Sequence, residues 1–223
     1  MELDKQALEV PQELRIAYYT WPPKSISLGC LFDPERLLNL EAVKEEHWTL
    51  YSRVSGGGAM FHGGDICFSL VVPQNHFLFA MSVLDSYKWV HEHLAKALTD
   101  LYPDLKGKFS LVVSSLSGGA HHQSCCLIQP TAYDLLLEGK KVAGCAQRRR
   151  KSLVHQISLS LQEPKWEVLK KLFRQHQDID TIMRRNYTAL DLYIREQPEQ
   201  IGKKLSQSLA KALSSFSDSC ASK

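Results

Sequence analysis

The chain has 223 residues, 44% of them hydrophobic and 23% charged, with a formal net charge of +3 at neutral pH. That length supports one sizeable core, or a core with a small appendage. The charge is too near balance to point to nucleic acid, and no apolar run approaches the ~18 residues of a membrane helix. The start, Met1-Glu2-Leu3-Asp4-Lys5, lacks the basic and then apolar pattern of a secretory leader. A cytoplasmic protein is expected, with neither nucleic acid nor membrane as partner. The six cysteines (Cys30, Cys67, Cys125, Cys126, Cys145 and Cys220) are then free thiols in a reducing compartment.

Residues 3–9 have the pattern of a short helical turn. Leu14 to Tyr19 reads as a strand ended by Trp21-Pro22-Pro23, because proline cannot continue a ladder. Ser25 to Gly29 alternates as a second strand. Asp33-Pro34 starts a helix running to about Glu46, with Asp33 as cap and Pro34 in the first turn. Thr49 to Arg53 is a strand, and Ile66 to Val72 is an apolar run typical of a strand buried on both faces. From Leu84 to Leu101, apolar residues recur at three- and four-residue steps, with Ser82 and Asp85 as a capping box and Pro103 just beyond. Phe109 to Val113 is a strand, followed by a loop over Ser114 to Gly119.

A hairpin follows: Tyr133 to Leu137, a turn at Glu138-Gly139, and a return over Lys140 to Gly144. Leu153 to Leu161 alternates again. After Pro164 the period becomes helical over residues 165–175, 187–196 and 198–214. In the last of these, Ile201, Leu205, Leu209, Leu213 and Phe216 form one apolar stripe. Residues 217–223 read as a frayed tail. Sheet elements first and helices last predict an α+β domain over residues 1–163, with a helical segment, 164–216, packed on it.

Two stretches carry chemistry. The first is Arg53-Val54-Ser55-Gly56-Gly57-Gly58-Ala59-Met60-Phe61-His62. Three consecutive glycines permit φ > 0 and a close approach to the main chain. Read alone, the segment is either a backbone-lined seat for a small anionic or amide-bearing group or a tight turn with no ligand. The second runs from Cys126-Leu127-Ile128-Gln129-Pro130-Thr131-Ala132-Tyr133-Asp134 through Gly139-Lys140-Lys141-Val142-Ala143-Gly144-Cys145-Ala146-Gln147-Arg148-Arg149. His121-His122 beside Cys125-Cys126 resembles a metal cluster, but adjacent ligands do not converge on one tetrahedral ion, so no metal site is expected.

Together these stretches resemble the lipoate–protein ligase and octanoyltransferase family. In that family an arginine-led glycine triplet ends in histidine and is followed by a G-x-K-[VI]-x-G-x-A-Q hairpin. Trp21-Pro22-Pro23, Ser27-Leu28-Gly29 and Leu3-Asp4 resemble its early segment. The resemblance covers about residues 1–163. It implies a mixed β-sheet core of the biotin/lipoate ligase type, with helices packed on it and a helical C-terminus. It implies substrate-binding roles for Arg53, Ser55, Gly56, Gly57, Gly58, His62, Gly144, Ala146 and Gln147. Lys141 matches the hairpin lysine, whose ammonium stabilises the charge that develops in acyl transfer.

Cys126, in a Cys-x-x-x-Pro-[ST]-x-Tyr-[DE] pattern, resembles the branch that works through a cysteine thioester, with a nearby cation favouring the thiolate. Cys125 beside it leaves open which thiol faces the site. The implied activity is transfer of an octanoyl or lipoyl group to a lysine of a lipoyl domain, either of 2-oxoacid dehydrogenases or of the glycine cleavage H protein. Acyl carrier protein is a candidate donor, and transfer requires no cofactor. One rival is an ATP- and Mg-dependent lipoate ligase; the other is a paralogue that only binds an acyl group or a carrier. Ser52 in place of a family arginine, and a helical segment rather than an accessory domain after residue 163, favour transfer. Cys145 stands where the family has serine, and His155-Gln156-Ile157 replaces a histidine-glycine pair. The run Arg148-Arg149-Arg150-Lys151 is read as a docking surface for an acidic carrier.

Overall fold

A computed structural model describes residues 2–10, 13–113, 125, 130–174 and 179–220, with residues 180 and 215–220 by backbone alone. Helix α1 (Glu2–Glu9) buries Asp4, Ala7 and Leu8 at helical spacing. Strand β1 (Arg15–Tyr19) ends before the prolines, and β2 (Ser25–Leu28) is buried throughout. The long helix expected from Asp33 to Glu46 is instead two pieces. A 3-10 turn over Pro34–Arg36 is capped by Asp33, and α2 (Leu40–Glu45) is capped by Asn39, whose side chain accepts from the Ala42 N–H. The break is tertiary. The Asn39 N–H donates to the Leu172 carbonyl, and Leu38 pairs with Phe173.

Strands β3 (Thr49–Ser52) and β4 (Ala59–Phe61) flank β2, parallel and antiparallel respectively, in a three-stranded sheet. Strand β5 (Asp65–Pro73) is buried over nearly its whole length. A single helical turn, α3 (Phe77–Ala80), was not legible in the sequence. Helix α4 (Val83–Leu101) starts at Ser82, whose hydroxyl accepts from the Asp85 N–H, as the capping pattern predicts. Strands β6 (Phe109–Leu111), β7 (Leu135–Leu137), β8 (Lys140–Arg149) and β9 (Ser152–Ser160) complete a six-stranded antiparallel sheet in the order β1-β5-β9-β8-β7-β6. The loop expected at Ser114 to Gly119 lies outside the described residues.

Helix α5 (Trp166–Leu169) continues into a 3-10 turn, and α6 (Ile179–Asn186) follows. The helix expected over 187–196 is not formed. Tyr187 bridges to Lys141, the Thr188 N–H donates to the Lys141 carbonyl, and the Leu190 N–H donates to the Ser160 carbonyl. Backbone donors committed to β8 and β9 are not available to a helix. Helix α7 (Pro198–Cys220) runs past the expected boundary at 216.

Strand alternation divides the six-stranded sheet into two faces. Ile66, Phe68, Leu70 and Val72 of β5, with Leu153, Ile157 and Leu159 of β9, join the main core beneath α4 and α7. The alternate residues on the other face are buried too, and Asp65, Ser69, Gln156 and Ser158 among them are polar. They turn toward the three-stranded sheet and α1. The candidate site lies between the two sheets.

Candidate active site

A cavity of about 460 Å³ opens between the sheets, within the size range of small-molecule sites. Ser27, Gly57, Gly58 and Met60 line it from the three-stranded sheet and its loop, and Gly144, Ala146 and Ser158 from the six-stranded one. The glycine loop is shaped by close contacts. An ideal Cβ on Gly29 would lie 2.0 Å from the Gly57 carbonyl oxygen, and Gly57 itself has φ of 90°. Only glycine fits either position.

Arg53 clasps this loop. Its Nη1 donates to the Ser27 carbonyl (2.8 Å) and reaches Ser27 Oγ (3.2 Å), its Nη2 donates to the Gly56 and Gly58 carbonyls, and its Nε donates to Gly56. These contacts occupy the guanidinium's five donors with protein oxygens. Next to it, Ser55 Oγ donates to Gln156 Oε1, Gln156 Nε2 donates to Asp4 Oδ2, and Ser69 Oγ donates to Asp4 Oδ1. A buried polar chain thus ties α1 to the glycine loop, and every member is satisfied.

Lys141 is 4% exposed and its Nζ lies 2.6 Å from Oδ2 of Asp134, which is fully buried. Asp134 also accepts from the Thr131 N–H and hydroxyl at its Oδ2, and its Oδ1 lies 3.0 Å from the Tyr87 hydroxyl. The lysine crosses Gly144 closely: an ideal Cβ there would be 2.8 Å from Lys141 Cε and 2.9 Å from Nζ. A bulge between Leu135 and Leu136 shifts the local register. Cys145, next in β8, turns its sulfur to His91 Nε2 at 2.9 Å, while His91 Nδ1 meets the Tyr133 carbonyl. Burial and the charge of Asp134 push this thiol well above its usual range, and burial lowers His91, so the pair is neutral.

His62 is held between two partners. Its Nε2 is 2.7 Å from Ser27 Oγ and its Nδ1 is 2.7 Å from Asp65 Oδ2, with Trp21 stacked on the ring. Burial would raise the Asp65 carboxyl, but the charge and hydrogen bond of His62, with hydrogen bonds from Ser158 and Cys67, hold it below the usual carboxylate range. His62, Asp65 and Cys67 place three donor atoms within 4.8 Å of one another, which could hold a metal ion. Burial and the neighbouring Asp65 keep the Cys67 thiol protonated, and it donates to Asp65 at 3.3 Å.

The family model of the lipoyl protein ligase A/B catalytic domain matches residues 2–210. The chain belongs to this family. It is 26% identical over 189 residues to the octanoyltransferase LipM of Staphylococcus epidermidis, covering 83% of this chain and 68% of that protein. It is 31% identical over 156 residues to the octanoyltransferase LipM of Moorella thermoacetica, covering 69% of this chain and 55% of that one. The chain thus spans little more than half to two thirds of the length of these relatives. Its fold superposes with a TM-score of 0.70, at 16% identity, on a structure of a bi-partite lipoate protein ligase and its E2 lipoyl domain from Thermoplasma acidophilum, covering 94% of this chain and 76% of that one.

Of the family positions picked out in the sequence, Arg53, Gly57, Gly58, His62, Lys141, Gly144 and Ala146 line the cavity. Ser55 supports its wall through Gln156. Gly56 contributes a carbonyl to the Arg53 clasp. Gln147 turns away: its Nε2 donates to the Val83 carbonyl at the start of α4. Cys126 lies outside the described residues, as do His121 and His122. Cys125 is buried, bridges to Ala59 and lines the cavity.

The docking run is not an open cationic face. Alternation along β8 sends Arg148 to Cys30 Sγ and the Val54 carbonyl, and Arg149 to the Phe79 and Met81 carbonyls and Ser86 Oγ. Arg150 is exposed and pairs with Glu9. Sequence reasoning missed the roles of Asp65, Tyr87 and Gln156. For Asp65 a signal was present, since Gly63-Gly64 lets a residue three positions on fold back to His62.

Proposed function

We propose that this chain is an acyltransferase that moves an octanoyl or lipoyl group from a carrier thioester to a lysine of a lipoyl domain, through a thioester on Cys126. The observation that carries this reading is the buried Lys141–Asp134 pair, facing a cavity whose wall includes Cys125, the neighbour of Cys126. The Cys126 thiolate adds to the donor's carbonyl carbon, the donor's carbon–sulfur bond breaks, and the carrier leaves as its thiolate. The acceptor amine, as the free base, then adds to the acyl-enzyme, the bond to Cys126 breaks, and the surplus proton of the amine nitrogen passes to the departing Cys126 sulfur. In both halves the Lys141 ammonium, fixed by Asp134, faces developing negative charge. Paired in this way, Lys141 acts as a charge and not as a base.

The relatives named octanoyltransferase support transfer over ATP-driven ligation. The saturated Arg53 guanidinium supports it too, since its donors are committed to the loop rather than to a phosphate. An acidic carrier would meet Arg150 and Lys151, both exposed. The test is to mix the purified chain with octanoyl carrier protein and then with a lipoyl domain, following the intact mass of each. An octanoyl adduct that neutral hydroxylamine removes, absent in Cys126→Ser and passed to the lipoyl domain, is the expected result. Equal transfer to the lipoyl domain by Cys126→Ser would sink the thioester reading.

A further inference from the structure

The transfer chemistry leaves one constellation unused: Ser27, His62 and Asp65, which are 2%, 6% and 8% exposed. Its hydrogen order follows from its partners. Asp65 Oδ2 accepts from Ser158 Oγ at 2.7 Å and from Cys67 at 3.3 Å, and Oδ1 accepts from the Gly63 N–H at 3.2 Å. The carboxylate is an acceptor throughout, so His62 presents Nδ1–H to it across 2.7 Å. When the ring carries that single proton, Nε2 is an acceptor and the Ser27 hydroxyl is its donor across 2.7 Å. Arg53 Nη1 stands 3.2 Å from Ser27 Oγ, placing positive charge where an alkoxide would form. Trp21, stacked on the imidazole with centroids 4.6 Å apart, fixes the ring plane. Ser27 and His62 both line the cavity. A hydroxyl, an imidazole and a carboxylate in this order are recognised by geometry and not by chain order or fold.

We propose that Ser27 is a nucleophile served by His62 as base and Asp65 as its orienting carboxylate, giving the chain a hydrolytic activity on acyl esters and thioesters. The geometry alone points to the nucleophile. The choice of a medium-chain acyl group, here octanoyl, rests on the transferase reading. Ser27 Oγ forms a bond to the acyl carbonyl carbon while its proton passes to His62 Nε2. The leaving alcohol or thiol departs with that proton. Water then adds to the acyl-serine carbon and gives a proton to Nε2. The Oγ–carbon bond breaks, Ser27 recovers the proton, and the free acid leaves. No oxidant, reductant or metal is needed for the balance.

The experiment uses the full chain and two reagents. An alkyl fluorophosphonate reports an activated serine regardless of the natural substrate, and p-nitrophenyl octanoate reports acyl hydrolysis. Peptide mass mapping of the unmutated chain should place the phosphonyl group on Ser27. It should also place an octanoyl group there that survives neutral hydroxylamine and yields to alkaline hydroxylamine, as an oxygen ester does. Ser27→Ala should lower hydrolysis by about a thousandfold. His62→Gln and Asp65→Asn should abolish phosphonylation in variants whose melting temperatures match the parent. Failure of both reagents to modify Ser27 in the unmutated chain, or unchanged hydrolysis in Ser27→Ala, overturns the inference. Transfer to a lipoyl domain is read in parallel. An octanoyl adduct on cysteine that neutral hydroxylamine removes, with Ser27 unmodified, overturns the inference and leaves the transferase reading standing. Modified Ser27 with no octanoyl group reaching the lipoyl domain sustains it and overturns the transferase reading.

Discussion

At Gly144 one missing carbon sets the position of a charge. Lys141 reaches the cavity by crossing the backbone of Gly144, where a Cβ would sit 2.8 Å from Cε and 2.9 Å from Nζ. Gly144→Ala should therefore displace the ammonium while leaving the apolar core alone. Because an ångström of misplacement can cost up to about a hundredfold, acyl transfer should fall at least about tenfold, with the melting temperature within a few degrees of the parent. Transfer followed by mass, alongside a thermal melt, checks this. A full rate would mean that the lysine's position does not limit the chemistry. Lys141 and Gly144 were both legible in the hairpin motif, because a motif records residues that meet locally. Asp134 as the lysine's partner, Tyr87 against Asp134, and Ser27 against His62 were not. The last pair are separated by 35 positions and meet only when β2 and β4 pair. Arg53 shows the converse. Its motif position was legible, but its donors turned out to be committed to the loop's own carbonyls.

Among the elements, α7 shows what a stripe of leucines can and cannot tell. Ile201, Leu205, Leu209 and Leu213 are buried, as their spacing predicts. How near the helix lies to the sheet is set by Gly202, where a Cβ would meet Tyr18 Cδ2 at 2.4 Å and Ile66 Cδ1 at 2.6 Å. Gly202→Val should thus push α7 off β1 and β5, and overpacking of this kind costs about 1–3 kcal/mol. Urea unfolding should show the stability falling by that amount, as a lower midpoint at unchanged slope, against the gain that replacing a helical glycine would otherwise bring. An unchanged or raised midpoint would show that the ring and the isoleucine yield freely. Helix α4 was legible because its cap and its stripe are local. The helix expected at 187–196 failed because Leu190 and Ile194 are buried four residues apart, which imitates a helical face, while the backbone pairs with β8 and β9. A long-range hydrogen bond leaves no mark in periodicity.

For the whole molecule, the sheet face beneath α4 holds an acid sensitivity in a different pH window from that of the cavity face. His155 of β9 is fully buried, and neither ring nitrogen has a hydrogen-bond partner among the described residues. Burial first, then the neighbouring His91 and Arg149, lower its pKa from 6.5 to about 3. The unfolded chain therefore binds a proton between those values that the folded chain does not, so stability falls as pH drops from about 6.5 toward 3. Above 6.5 the ring is neutral in both states and contributes no slope. Asp65 acts in a different window. Its carboxyl is lowered in the fold, so its contribution is present above the unfolded carboxylate value and is lost only as pH falls through the folded one. At pH 5, then, His155 dominates between the two, at about 2 kcal/mol from the linkage relation with an unfolded pKa near 6.5. Replacing His155 by Leu removes two unpaired nitrogens at similar volume and breaks no hydrogen bond. Relative to the parent, His155→Leu should gain about 2 kcal/mol more at pH 5 than at pH 7.5, read from urea midpoints at the two pH values. Equal gains at both would show that the imidazole takes up its proton inside the folded protein.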